Sequence, residues 1–240
     1  MSRDRMVLRA ELCQRDRAVV AHTTAVTAES VVVRTDAKFE IGDVVRLRLS
    51  LRQLFPSIEV EARVSAKESG AGLGYFPGVT LAITPGSGGS GEARLREVLD
   101  RNPAPTALTC TILVVEDSPL MRDFVHAGAD RFSDVGEVRM TVETVDTAEA
   151  ALARLETGTF DLALVDLYLP GKMSGADLVR SARSRGSDLV MIGFSIGGPA
   201  ARDAFLEAGA DMFLDKPVMM KDLFATVGAL TVLNAKAEAV

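Results

Sequence analysis

The sequence predicts two domains of different fold class: a small antiparallel β-barrel, followed by a doubly wound α/β domain with a five-stranded parallel sheet. Three observations predict this. The chain has 240 residues, enough for two domains of roughly 100–130 residues each. Short stretches in which apolar and polar residues alternate fill the first half. In the second half, continuous apolar runs alternate with helical patterns.

The barrel is predicted from its strands. Residues 45–51 (VRLRLSL) and 58–64 (IEVEARV) alternate strictly, which is typical of strands with one buried face. Residues 31–33 and 78–83 are further strand candidates. Because no helical pattern separates these short strands, they favour a small antiparallel barrel.

A change in composition predicts the domain boundary. Residues 85–91 (PGSGGSG) are expected to be a flexible break, and residues 92–101 a short amphipathic helix with Leu95 on its buried face. Pro103 is not expected to continue that helix. The predicted organisation is a first domain over 1–101, a linker over 102–108 and a second domain over 109–235.

The second domain alternates strand and helix. Ser118 and Pro119 are a good cap and first position for a helix whose buried side would include Met121, Phe124 and Val125. Such alternation predicts a parallel sheet with helices on both faces. The predicted strands are 112–115, 138–142, 162–165, 189–192 and 212–214, and the remaining helices are 148–155, 176–184, 199–208 and 220–230.

Polar residues follow the predicted strands at the edge of the sheet where ligands bind in such folds. They are Glu116, Asp117, Asp166, Ser195 and Lys216. Three carboxylates at one edge repel one another, so they need a cation, and their oxygen ligands suit Mg²⁺. A carboxylate screened in this way can attack a phosphoryl group, and Asp166 lies between the acid pair and the Ser195–Lys216 side. Ser195 and Lys216 are expected to bind the phosphoryl oxygens.

Four segments carry a specific resemblance: LVVEDSPLMR, LALVDLYLPG, MIGFSIGG and DMFLDKPV. They resemble, in order, the signature blocks of the bacterial response-regulator receiver family, which has a flavodoxin-like fold. The resemblance implies that Asp166 accepts a phosphoryl group from a histidine of a sensor kinase or phosphotransfer protein. It implies that Glu116, Asp117, Asp166 and the backbone oxygen of Tyr168 bind Mg²⁺.

The resemblance also implies a conformational switch. Ser195 matches the switch hydroxyl, Phe213 the switch aromatic and Lys216 the family lysine, whose bond to Pro217 is cis in that family. The fourth helix, fifth strand and fifth helix of the domain would form a homodimer contact. The family's glycine beyond the phosphoacceptor appears at Gly175, one position late.

The second domain has three alternative interpretations. A receiver that is not phosphorylated and serves only as a dimerisation surface stays open. A D-x-D phosphatase is disfavoured because Tyr168 stands where its second aspartate belongs. A dinucleotide-binding fold lacks its glycine fingerprint after the first strand.

The first domain is similar to a PilZ domain, a small barrel with a trailing helix that often binds cyclic di-GMP. Arg5 and Arg9 fit the R-x-x-x-R motif that precedes the barrel, and guanidinium groups suit a phosphate ligand. The D-x-S-x-x-G loop is degenerate, because Ala25, Thr27 and Ser30 replace its acid, serine and glycine. We therefore expect weak or no binding of cyclic di-GMP.

Together these features predict a signalling protein rather than a conventional enzyme. A phosphorylated receiver would switch binding to a downstream protein through the PilZ-like domain; the alternative is a cyclic di-GMP effector modulated by the receiver. The net charge of −6 argues against nucleic acid, and no apolar run is long enough to cross a membrane. Cys13 and Cys110 are expected to be reduced thiols in the cytoplasm.

Overall fold

The computed structural model describes residues 7–52, 55–68, 77–86, 90–100, 108–135, 138–216, 223–224 and 227–228. The chain divides into two compact units. The first contains Met1–Leu51 and Phe55–Asn102, and the second contains Arg52–Leu54 and Pro103–Val240. Among the described residues, no helix is both long and apolar enough to span a membrane.

The first unit is a closed antiparallel barrel with the strand order β1-β2-β3-β6-β5-β4. In β4 the inward side chains alternate with exposed ones, and Val45, Leu47, Leu49 and Leu51 are almost completely buried, as the sequence predicts. The strands are β1 (Arg9–Gln14), β2 (Arg17–Val26), β3 (Ser30–Arg34), β4 (Val44–Leu51), β5 (Phe55–Glu68) and β6 (Gly78–Ile83).

Strand β1 places one predicted ligand residue differently from the sequence expectation. Arg9 is the first residue of β1, paired with His22 of β2 and Ser50 of β4, so it belongs to the barrel wall rather than to an arm before the barrel. Its predicted partner, Arg5, lies outside the described residues.

Helix α1 (Ser90–Asp100) follows the barrel, and Leu95 is fully buried as predicted. The expectation that Gly91 belongs to a flexible break is wrong. Gly91 lies in the first turn of α1, where a Cβ atom would meet the carbonyl oxygen of Glu59 at 1.9 Å. Glycine is needed there because the helix packs directly against the backbone of β5.

The second unit has a five-stranded parallel sheet in the order β11-β10-β9-β7-β8, with helices between the strands, which confirms the predicted fold class. Because β7 lies between β8 and β9, the strand order reverses there, as at a ligand-binding crevice. The elements are β7 (Leu108–Val115), α2 (Pro119–Val135), β8 (Val138–Val145), α3 (Ala148–Thr157), β9 (Leu162–Val165), α4 (Gly175–Ser184), β10 (Val190–Ser195), α5 (Gly198–Glu207) and β11 (Met212–Asp215).

Helix α2 buries a different set of side chains from the one that the sequence predicts. Phe124 is 53% exposed, so its predicted burial is wrong, whereas Val125 is fully buried. Val125 and Ala129 are four residues apart and define the buried stripe of α2, and Phe124 is rotated away from that stripe by about 100°. The predicted helix over 220–230 lies mostly outside the described residues, within which Leu223, Phe224 and Val227 are buried.

Candidate functional site

The site begins where two neighbouring strands end. Glu116 follows β7, and its N–H donates to the carbonyl of Val145 at 3.0 Å. Asp166 follows β9, and its N–H donates to the carbonyl of Val115 at 2.9 Å. These backbone bonds hold the two acidic residues side by side at the point where the strand order reverses.

Three carboxylates meet at this edge. One carboxylate oxygen from each of Glu116, Asp117 and Asp166 lies within 4.8 Å of the others. Glu116 and Asp166 are buried, with 2% and 8% of their surface exposed, whereas Asp117 is exposed. Two of the three negative charges are therefore largely removed from water and require a cationic partner.

Lys216, which lies 50 positions after Asp166 in the sequence, provides that partner. Its ammonium nitrogen lies 2.6 Å from Oε2 of Glu116 and 2.8 Å from Oδ2 of Asp166. Only 8% of its side chain is exposed, and Nζ stands 4.6 Å from the centre of the Phe194 ring. A charged hydrogen bond to each buried acid compensates for the water that both acids have lost.

Ser195 lies at the same edge of the sheet. It ends β10, which pairs with β9, and its carbonyl accepts the N–H of Lys216 at 3.0 Å. Ser195 is fully buried, and its Oγ has no hydrogen-bond partner among the described residues. Buried hydroxyl groups are nearly always hydrogen-bonded, so this one is available to an incoming oxygen atom.

Phe213 is turned into the core. It is 4% exposed, and its ring centre lies 5.8 Å from that of Phe205. Gly193 leaves room for both rings, because a Cβ atom there would lie 2.5 Å from Phe205 and 2.9 Å from Phe213. The aromatic residue expected to act in a switch is thus described in its inward position.

The loop after β9 packs closely behind Asp166. The N–H of Leu167 donates to Oδ1 of Asp166 at 2.7 Å, and the N–H of Gly175 donates to the carbonyl of Leu167 at 3.0 Å. A Cβ atom on Gly175 would lie 1.9 Å from the carbonyl oxygen of Asp166. Although Gly175 comes one position late, it makes the close approach for which glycine is required. The side chain of Tyr168 is 64% exposed.

Helix α4 begins directly after this loop. The hydroxyl of Ser174 accepts the N–H of Asp177 at 3.2 Å, and the Asp177 carboxylate accepts the N–H of Ser174 at 3.1 Å, which forms a capping box. The Ser174 hydroxyl and then the Ser174 N–H hold the pKa of Asp177 below its ordinary value. The capping box therefore fixes the end of the loop that starts at Asp166.

The sequence reasoning missed two side chains that hold the loops around the acids. Arg122 of α2 donates from Nη1 to the carbonyls of Glu116 and Asp117 at 2.8 and 3.1 Å. Glu149 of α3 accepts the N–H of Lys172 at 3.1 Å. Arg122 is a basic residue only five positions after Asp117, so the local sequence contains a signal for its contact. The contact between Glu149 and Lys172 joins residues 23 positions apart, so no local pattern indicates it.

On the barrel, the turn between β2 and β3 is closed by its own side chains. The Thr27 hydroxyl accepts the N–H of Ser30 at 2.9 Å, and Ala25 is nearly buried in β2. The N–H of Thr27 donates to the carbonyl of Ser30 at 2.8 Å. The polar groups of this degenerate loop are thus engaged locally.

Comparison with known proteins identifies the second unit. The sequence profile of the response regulator receiver domain family matches residues 112–228. These residues form a response regulator receiver domain. Receiver domains generally bind Mg²⁺ and interact with sensor histidine kinases or phosphotransfer proteins. The closed barrel of the first unit is compatible with a PilZ-like domain.

Individual relatives are similar to half of the chain. The chain is 38% identical over 120 residues to the two-component response regulator PhoP of Pseudomonas aeruginosa, covering 50% of each chain. It is 38% identical over 121 residues to the response regulator PmrA of the same organism, covering 50% of this chain and 52% of PmrA. The chain thus spans about half the length of these relatives.

Among solved structures, a CheY-like receiver domain protein from Methanospirillum hungatei is 27% identical, with a TM-score of 0.46. That match covers 54% of this chain and 98% of the other chain.

Proposed function

We propose that the protein is a two-component response regulator in which Asp166 accepts a phosphoryl group from a phosphohistidine of a sensor kinase or phosphotransfer protein. One observation carries this proposal: the Lys216 ammonium group binds both Glu116 and Asp166, with the Asp117 carboxylate beside them. This arrangement of three acids and one amine matches the chemistry of phosphoryl transfer to an aspartate.

The donor set fits Mg²⁺. The carboxylates of Glu116, Asp117 and Asp166 offer hard oxygen ligands close together, and exposed Asp117 faces water. We propose these three side chains and the backbone oxygen of Tyr168 as its ligands. Bound Mg²⁺ would neutralise charge on the acids and on the phosphoryl oxygens.

The residues of the chain have distinct tasks in the transfer. An oxygen of Asp166 forms the new bond to phosphorus, while the bond from phosphorus to the donor histidine nitrogen breaks and that nitrogen keeps the electron pair. Lys216 gives up its bond to Asp166 and binds a phosphoryl oxygen, and the buried Ser195 hydroxyl donates to another. The Leu167 N–H already orients Oδ1 of Asp166 at 2.7 Å.

The surface next to the site suits a protein donor. Leu120, Phe124, Tyr168 and Ile196 are large apolar residues that are between 53% and 80% exposed. Leu120 and Phe124 lie in the first two turns of α2, the helix that follows β7. Tyr168 and Ile196 come shortly after the ends of β9 and β10. Exposed apolar side chains beside a polar site suit contact with a macromolecular partner.

The output of the switch is proposed to pass through the first domain. Phosphorylation would draw Ser195 towards the phosphoryl group and release Phe213 from its inward position, repacking the face expected from α5, β11 and the helix predicted over 220–230. We propose that residues 109–235 form the receiver, that 102–108 form a linker and that 1–101 form a PilZ-like domain. This PilZ-like domain would bind the downstream protein.

Binding of cyclic di-GMP is the alternative output. Arg9 favours it as a phosphate-binding residue, whereas Ala25 supplies no carboxylate for guanine and Thr27 is engaged within its own turn. Isothermal titration of the full chain tests the choice. No binding at micromolar ligand is expected, and a dissociation constant on the order of micromolar or below would favour the effector function.

The proposed transfer is tested with acetyl phosphate and Mg²⁺. The full chain should gain a phosphoryl group, seen as a retarded band on a phosphate-affinity gel, and Asp166→Asn should abolish the gain. Asp123→Asn is the matched control, because Asp123 is exposed on α2. A shift that Asp166→Asn retains would exclude Asp166 as the acceptor, and no shift in the wild type would exclude an active receiver.

A further inference from the structure

Arg122 occupies an unusual position beside the acid pair. It lies in the first turns of α2, and one nitrogen, Nη1, donates to two consecutive carbonyl oxygens, those of Glu116 at 2.8 Å and Asp117 at 3.1 Å. In an extended strand, successive carbonyls point to opposite sides. A single shared donor therefore requires the backbone to leave the strand conformation at these two residues.

The two carbonyls need such a partner. They precede Pro119, the first residue of α2, and thus lie outside the regular hydrogen bonding of both the sheet and the helix. The other hydrogen bonds of this segment do not involve these two carbonyls. The Glu116 N–H donates to the carbonyl of Val145, and the Ser118 N–H donates to Oε1 of Glu116 at 3.2 Å. Arg122 is the side chain that fixes the direction of both carbonyls.

This backbone turn determines where the two acids point. Glu116 is turned inward to Lys216, while Asp117 is exposed yet remains within 4.8 Å of Asp166. Repulsion between Asp117 and the two buried acids favours moving Asp117 away when no metal is bound. The Arg122 guanidinium group opposes that movement in two ways. It holds the backbone of Glu116 and Asp117 through their carbonyl oxygens, and it places a positive charge beside that backbone.

We propose that Arg122 is a positioning residue for the Mg²⁺ site: it holds the loop of Glu116 and Asp117 in the metal-binding arrangement before the metal arrives. The inference rests on the proposed function, since it assumes that these acids bind Mg²⁺. Residues that orient metal ligands typically contribute about 10–100-fold to metal affinity. Arg122 would act through the backbone of the ligands without touching the metal.

The test measures Mn²⁺ binding to the full chain by electron paramagnetic resonance of the free ion, which requires no phosphorylation. Arg122→Met removes both bonds and should weaken binding by about 10-fold. Arg122→Lys keeps the positive charge but loses the geometry of the guanidinium group. Its affinity for Mn²⁺ should therefore lie between those of Arg122→Met and the wild type. Arg131→Met and Arg131→Lys, at an exposed position of the same helix, should leave the affinity unchanged.

The outcomes separate the two proposals. If the wild type binds no Mn²⁺, the proposed metal site fails, and this inference fails with it. If the wild type binds but Arg122→Met binds equally well, or is weakened only as much as Arg131→Met, the inference alone is overturned. Should Arg122→Met not fold, Arg122→Lys decides the matter: weaker Mn²⁺ binding than that of Arg131→Lys supports positioning, and equal binding refutes it.

Discussion

At the scale of single residues, Lys216 connects groups that the sequence keeps far apart. Its contact with Glu116 joins residues 100 positions apart, and its contact with Asp166 joins residues 50 apart. The residue types at the strand ends were enough to predict that these groups share one edge. Their individual bonds were not predictable, because they depend on the register of β7, β9 and β11.

Replacing Lys216 by methionine should destabilise the receiver in the absence of metal. Two buried carboxylates would lose their cation, and breaking a buried ion pair typically costs about 3–5 kcal/mol. Calorimetry of the full chain in EDTA measures the loss, with Lys172→Met as the control because Lys172 is exposed. Equal melting temperatures for the two variants would contradict the assigned role of Lys216.

Gly175 offers a second test at this scale. A methyl group there would lie 1.9 Å from the carbonyl oxygen of Asp166, so Gly175→Ala must displace the backbone at Asp166. We expect a cost of about 1–3 kcal/mol and slower phosphorylation by acetyl phosphate.

The control for Gly175 is Gly186→Ala. Gly186 has φ +83° with open space around it, so alanine should cost stability through backbone strain alone and leave phosphorylation unchanged. If the two variants are phosphorylated at the same rate, the close approach at Gly175 does not shape the site.

At the scale of elements, buried strands and capped helices were the most predictable. β9 matches its predicted bounds because its four residues form a continuous apolar run buried on both faces. β2 was harder to predict, because its pairing with β3 shifts register between Thr23 and Ala25. This bulge interrupts the alternation of apolar and polar residues by which strands are predicted. Such a bulge depends on the neighbouring strand, which lies outside any local pattern.

The capping box of α4 gives a prediction with a defined pH dependence. Removing it with Ser174→Ala should cost about 1 kcal/mol at neutral pH, whereas Ser184→Ala, at the other end of the helix, should cost little. Since the pKa of Asp177 is lowered in the folded protein, its contribution is present above pH 3.8 and is lost as the pH falls below that value.

Urea unfolding at several pH values measures this dependence. The difference in unfolding free energy between the wild type and Asp177→Asn should shrink as the solution becomes acidic. A difference that grows towards low pH would contradict the assigned cap.

At the scale of the whole molecule, the described conformation is the one that we propose for the resting state of the switch. Phe213 is inward, Lys216 is held by two acids, and the Ser195 hydroxyl awaits a partner. Beryllium fluoride with Mg²⁺ mimics the phosphorylated aspartate, so it should shift the full chain from monomer to dimer in analytical ultracentrifugation. Asp166→Asn should stay monomeric under the same conditions, and a wild type that also stays monomeric would contradict the predicted homodimer contact.

The central claim is that Asp166 carries the phosphoryl group. Borohydride reduction converts an aspartyl phosphate to homoserine, so treating the full chain with acetyl phosphate and Mg²⁺, reducing it and sequencing its peptides by mass spectrometry locates the modified residue. The prediction is homoserine at position 166, lost when Mg²⁺ is replaced by EDTA. Modification at another aspartate, or none at position 166, would contradict it.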